Sequence, residues 1–248
     1  MYIGKRSTEV SRLNGTLYLI PAPLGEAGDL PAILPEQVRL IALSLDTFVA
    51  ENAKTARHVL KRYGITRALQ EIAIATLDQH TPPEKIKELL APLLAGKDLG
   101  LMSEAGCPAV ADPGAQLVRL AHEKGIRVAP LVGPSSLLLA LMGSGLNGQS
   151  FVFHGYLPAN HEARVKKLAE IEKESRTRRQ TQLFIEAPYR NQPMLADILT
   201  ACRPDTLLCL ATDLTQAGES IVTRQVAAWK KNPPEIHKKP TIFLLYAG

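Results

Sequence analysis

Three glutamates in this chain of 248 residues stand where a carboxylate can do chemistry. Glu51, Glu104 and Glu186 each close a short apolar, strand-like run. A carboxylate held at the end of a strand can accept a proton from a weak nucleophile and act as a general base. Plainer readings stand beside this one: Glu51 could do no more than cap the helix expected to begin near Asn52. His154 is either a further base or, as is commoner for a lone histidine beside a strand, a hydrogen-bonded structural residue.

Loops rich in glycine and proline must position such groups. Residues 101–114, Leu-Met-Ser-Glu-Ala-Gly-Cys-Pro-Ala-Val-Ala-Asp-Pro-Gly, join the apolar run Asp98 to Met102 to the helically spaced Ala115 to His122. The strand-like Leu17 to Ile20 runs into Pro21-Ala22-Pro23-Leu24-Gly25, and Val132-Gly133-Pro134-Ser135-Ser136 precedes the helix-like Leu137 to Met142. Glycine lets a main chain approach a ligand closely, and ligands of open α/β sheets bind outside the carboxyl ends of the strands. Each loop also has a purely structural reading. Asp112 could cap a helix whose first residue is Pro113, and Ser135 or Ser136 could cap the helix after Pro134.

In this order and spacing the three loops resemble those of the tetrapyrrole-methylase superfamily of S-adenosylmethionine-dependent methyltransferases. Within it the chain resembles most the RsmI-type branch, which 2′-O-methylates a cytidine of small-subunit ribosomal RNA. The resemblance runs from about Gly15 onward and includes Val49-Ala50-Glu51-Asn52, Ser144-Gly145-Leu146, the segment Phe151 to Pro158, and Leu183-Phe184-Ile185-Glu186-Ala187-Pro188-Tyr189-Arg190. It implies a two-domain α/β methyltransferase of class III, with the cofactor cleft between the lobes and a homodimeric assembly. It further implies that Pro23, Ser103, Glu104, Ala105, Gly106, Ser135, Ser136, Glu186 and Ala211 line the S-adenosylmethionine site. Five positions depart from the family pattern. Its acidic-acidic-threonine-arginine signature stands here as Glu51-Asn52-Ala53-Lys54, its loop aspartate is Glu104, and its threonine is Cys107. A lysine cannot reproduce the bidentate phosphate contact of an arginine.

The resemblance favours methyl transfer to ribosomal RNA. A small-molecule or tetrapyrrole methyltransferase is the alternative, as is a non-catalytic RNA-binding relative. The net charge of +5 permits a polyanionic partner without requiring one. Arg176, Arg178 and Arg179 close a basic segment that also holds Arg164, Lys166, Lys167 and Lys173. The glutamates interleaved there, Glu162 to Glu174, match a solvated helix face. Together with Arg190, those three arginines are candidate RNA contacts.

The opening residues have no apolar core for a signal peptide, and the apolar stretch from Leu131 to Leu146 is broken by glycine, proline and serine. A cytoplasmic protein with no membrane partner is expected. Cys107, Cys202 and Cys209 lack metal-ligand spacing, so reduced thiols and no metal are expected.

Alternating strands and helices predict a mostly parallel sheet in the first half. Its strands are placed at Leu17 to Ile20, Leu40 to Ser44, Asp98 to Met102 and Ile126 to Ala129, and its helices include Asn52 to Tyr63 and Glu84 to Leu94. The second half reads as strands at Phe151 to His154, Gln182 to Glu186, Leu207 to Thr212, Glu219 to Val226 and Thr241 to Tyr246, separated by two helices. The expected organisation is a flexible lead over 1–14, an N-terminal α/β domain over 15–130, a hinge over 131–136 and a C-terminal α/β domain over 137–248.

Overall fold

The computed structural model describes residues 14–26 and 29–248. Apart from Asn14, the expected N-terminal lead lies outside the described residues. The described residues form two compact units, one of residues 14–23 with Leu30–Pro134, the other of residues 24–26 and 29 with Ser135–Gly248.

The first unit runs β1 (Thr16–Ile20), α1 (Leu30–Ile33), α2 (Glu36–Ser44), β2 (Thr47–Ala50), α3 (Ala53–Arg62), β3 (Ala73–Thr76), α4 (Pro83–Glu88), α5 (Ala91–Leu94), β4 (Leu99–Met102), α6 (Ala115–Glu123) and β5 (Arg127–Pro130). Its strands lie in the order β3-β2-β4-β1-β5, and every neighbouring pair is parallel. Alternation along β1 explains how the sheet is covered. Ile20 faces a core with Val38 and Ala42 of α2 and Ala56, Val59 and Leu60 of α3, whereas Leu17 faces Ile86, Leu93 and Leu117 of α4, α5 and α6. All four residues of β4 are buried, as expected of a parallel strand with helices on both faces.

The second unit runs α7 (Ser136–Ser144), β6 (Phe151–Tyr156), α8 (His161–Arg178), β7 (Thr181–Ile185), α9 (Asn191–Ala201), β8 (Leu207–Thr212), β9 (Ser220–Gln225), α10 (Val226–Lys231) and β10 (Thr241–Tyr246). Its strand order is β6-β7-β10-β8-β9; β6 and β7 are parallel and the other pairs antiparallel. On one face Leu168 and Ile171 of α8 and Met194, Leu195 and Ile198 of α9 pack on Phe184 and Phe243, whose rings stack at 5.4 Å. On the other, Ala140 and Leu141 of α7 cover Leu183, Cys209 and Leu244.

Three sequence expectations need correction. Beyond Gly148 the strands are accompanied by three helices, α8, α9 and α10, rather than two. Leu40 to Ser44 is the last turn of α2, with Val38 and Ala42 on its buried stripe, and the strand follows at Thr47–Ala50. The region Glu84 to Leu94 is two short helices, because Pro92 interrupts a continuous one. Among the described residues, no helix is long and apolar enough to cross a membrane.

Candidate functional site

All three glycine- and proline-rich loops begin at the carboxyl edge of the first unit's sheet. They leave β1, β4 and β5, which are neighbours. Beyond β1 and β4, Ala22 and Gly106 exchange two main-chain hydrogen bonds, Ala22 N to Gly106 O at 2.8 Å and Gly106 N to Ala22 O at 3.0 Å. Gly106 has φ +70°, in the left-handed region that a side chain disfavours. Buried Ser103 donates its hydroxyl to the Gly106 carbonyl at 3.0 Å. Gly133 lies so close to the first loop that a Cβ there would stand 2.3 Å from Cβ and Cγ of Pro21. The partly buried Cys107 thiol, kept protonated by its burial, donates to the Pro134 carbonyl at 3.5 Å. Cysteine here makes a donor contact of the kind a threonine hydroxyl could make.

A further brace was not legible in the sequence. The Tyr63 hydroxyl, at the end of α3, donates to the Pro21 carbonyl at 2.5 Å from a site 1% exposed. Burial pushes the phenol upward, so it remains a donor. Glu104 and Ala105 at the tip of the β4 loop are exposed, while Ser103 and Gly106 on either side are buried, as is Pro23.

Glu51 follows β2 and is half-buried. Its carboxyl is shifted above the ordinary range, first by desolvation and then by the negative charges of Glu104, Asp112 and Asp78. These carboxylates come from the loops after β2, β4 and β3. Asp78 follows a strand, β3, that the sequence pattern does not reveal. Among the described residues, no group of three or more His, Cys, Asp or Glu is placed to hold a metal ion.

The capping alternatives also resolve. Asn52, not Glu51, caps α3, accepting from the Lys54 and Thr55 amides at 2.9 and 3.3 Å. The departure at Asn52 therefore keeps a strong helix start. Asp112 does not cap α6, which begins at Ala115; its carboxylate accepts from the Ala109 and Gly114 amides and holds the loop together.

The remaining candidates belong to the second unit. Ser135 caps α7 through the Leu138 amide at 3.5 Å; both Ser135 and Ser136 are half-buried. Ala211 is 1% exposed in β8, and its side chain joins the core beside α7, so it offers no open surface. Glu186 is buried and committed: its Oε1 accepts from Arg190 Nε at 2.9 Å, Arg190 Nη2 at 2.7 Å and the Ala187 amide at 2.7 Å. Glu186 Oε2 is buried with no hydrogen-bond partner among the described residues. The Arg190 guanidinium lies 5.3 Å from the Tyr189 ring centroid. His154 shares a 2.6 Å hydrogen bond with Gln182, the structural alternative for that residue.

The basic segment divides. Arg164, grouped with it by sequence, is 7% exposed and binds Asp197 Oδ2 through Nε at 2.6 Å, so it is a core ion pair rather than part of a basic surface. Arg176 stands 3.7 Å from Asp205. Arg178 is exposed, and Arg179 closes α8 at φ +51°.

A comparison with models of known protein families gave no match. Individual proteins do match. The chain is 32% identical over 247 residues to ribosomal RNA small subunit methyltransferase I of Escherichia coli O157:H7, covering 98% of this chain and 82% of that protein. To the enzyme of the same name from Xylella fastidiosa it is 35% identical over 213 residues, covering 86% and 73%. Among solved structures, the methyltransferase CobJ superposes with a TM-score of 0.61 over 94% of each chain at 16% identity, a likeness of fold. Sequence identity of this order across nearly the whole chain places the protein in the ribosomal RNA small subunit methyltransferase I family.

Proposed function

We propose that this protein transfers a methyl group from S-adenosylmethionine to the ribose 2′-hydroxyl of a cytidine in small-subunit ribosomal RNA. The observation that carries the reading is the braced loop cluster of the first unit together with its acidic character. S-adenosylmethionine presents a sulfonium and an ammonium group, both cationic, and the carboxyl edge of this sheet presents Glu51, Glu104, Asp78 and Asp112. That donor set fits a cationic cofactor. The exposed Glu104 and Ala105, held by the buried Ser103 and Gly106, would take up its polar groups, and Pro23 would close the wall beside them. Ser135 and Ser136 remain proposed contacts from the second unit.

When bound, the sulfonium supplies an already electrophilic methyl carbon, so the protein's tasks are alignment and proton transfer. The ribose hydroxyl would have to give up its proton as its oxygen takes the methyl group, with the neutral thioether as the leaving group. Glu51 is the proposed acceptor. Its raised proton affinity brings it nearer the operating pH, where a general base works best. Glu186 is not assigned that role, because its charge already serves Arg190. We further propose cytoplasmic action, where the RNA is found, as a homodimer. Leu138 and Met142, one turn apart on α7 and 53% and 79% exposed, give an apolar stripe suited to a second copy.

The test is transfer of labelled methyl from S-adenosylmethionine to small ribosomal subunits lacking the modification. The product should resist alkaline cleavage at one cytidine, since a methylated 2′-oxygen cannot attack the adjacent phosphodiester. No incorporation by folded protein that binds S-adenosylmethionine would overturn the reading.

A further inference from the structure

Two exposed tyrosines stand near one arginine at one edge of the second sheet. Tyr156 ends β6 and pairs in register with Ile185, the last residue of β7. The chain leaving β7 passes Glu186 and turns through Pro188–Arg190, which presents Tyr189 and Arg190. Tyr156 is 62% exposed and Tyr189 is 60% exposed. Arg190 lies over the Tyr189 ring, and its side chain is one-third exposed.

The arginine is held in place by a buried carboxylate. Glu186, its side chain wholly buried, takes two hydrogen bonds from the guanidinium. The pairing neutralises much of the charge but fixes the plane. The hydrogen bond to Glu186 also raises the guanidinium's proton affinity, and Tyr189 and Tyr156 both lie within electrostatic range of it. A fixed guanidinium plane beside open aromatic rings suits flat π-systems, which stack on arginine and tyrosine alike.

We propose that Tyr156, Tyr189 and Arg190 form a stacking platform for unpaired bases of the RNA, with Glu186 as the positioning residue that sets the guanidinium plane. The inference rests on the reading of the protein as an RNA methyltransferase and adds how the strand is recognised. Ribose methylation within a folded RNA needs the acceptor nucleotide accessible, and an unstacked neighbour finds on these rings the contacts it gave up. Stacking is tolerant of base identity, so the platform would grip unpaired RNA and leave sequence choice elsewhere.

The probe is a single-stranded oligoribonucleotide carrying one 2-aminopurine, whose fluorescence falls on stacking, with a duplex of the same sequence as the control. Wild-type protein should quench it. Tyr156→Ala and Tyr189→Ala should each weaken single-strand binding by about tenfold and remove part of the quenching, with the dependence on salt unchanged. Tyr156→Phe and Tyr189→Phe should restore both. Glu186→Gln should retain binding but shift the quenching, because an amide holds the guanidinium less firmly. Equal binding and quenching by the alanine variants would overturn the proposal, as would equal loss on single strand and duplex, which would mark a general docking surface. Labelled-methyl transfer to small subunits separates the two readings. Tyrosine-dependent quenching without transfer by wild type removes the function and leaves the platform; transfer with no tyrosine dependence and no quenching removes the platform alone.

Discussion

Gly133→Ala tests whether the packing of the β5 loop on the β1 loop matters for methyl transfer. The added carbon would stand 2.3 Å from two carbons of Pro21, more than 1 Å inside the ordinary carbon–carbon contact of about 3.5–4.0 Å. Pro21 is a rigid ring whose carbonyl is held by Tyr63, so it cannot turn aside like the end of a long side chain. The third neighbour, Leu34 Cδ2 at 3.2 Å, is flexible and can yield. The strain must therefore move the Pro21 loop itself. Overpacking of this kind costs about 1–3 kcal/mol. For a chain of this size that lowers Tm by about 3–10 °C. A displacement of about 1 Å in a positioning loop can reduce the chemical step by about a hundredfold. The assay pairs thermal unfolding with calorimetric binding of S-adenosylmethionine and labelled-methyl transfer. Gly148→Ala is the control, since a Cβ there meets nothing within 4 Å. Should Gly133→Ala melt, bind and turn over like wild type, the braced loops would have no part in the site.

Three further outcomes are expected. The folded protein holds the Glu51 proton more tightly than the unfolded chain, so ionised Glu51 costs stability as pH rises through the raised value, and the cost is absent below the ordinary carboxylate range. Glu51→Gln should accordingly raise Tm at about pH 7 and not at about pH 3.5, while lowering kcat by about 10²–10⁴-fold if Glu51 is the base; a Tm difference independent of pH would contradict the linkage. Asp197→Ala leaves Arg164 buried without its carboxylate and should cost about 3–5 kcal/mol in urea unfolding, whereas replacing both residues by apolar ones of similar volume should cost far less. Tyr63→Phe removes the donor to Pro21 and should cost about 1–3 kcal/mol, detectable as a lower denaturation midpoint, because the Pro21 carbonyl loses its buried partner.

What the sequence made readable follows from local rules. Glycine and proline at the ends of apolar runs marked the three loops, and their order carried the family resemblance. Where local rules tie, the reading failed. Leu40-Ile41-Ala42-Leu43-Ser44 is apolar enough for a strand or a buried helix end, and only the Val38–Ala42 stripe, with β2 beginning three residues after Ser44, decides it. The strand β3 is an edge strand of Ala-Ile-Ala-Thr with two exposed positions and too little apolar signal to be seen. Partnerships between distant residues were invisible. Nothing in the basic run separates Arg164, which finds Asp197 on α9, from the exposed Arg178. Likewise Glu51 differs from Glu186 only through neighbours that folding supplies: three carboxylates around the first, an arginine against the second.

The reciprocal pair between Ala22 and Gly106 is a single antiparallel rung set at the end of a wholly parallel sheet. Parallel strands cannot be joined by a tight hairpin, so the loops leaving β1 and β4 run on separately into α1 and α6, each with its own tip. Here the fold spends part of its own stability to settle two of those tips beforehand. An arriving ligand then meets a surface whose disorder has already been removed, and more of its contact energy survives as affinity.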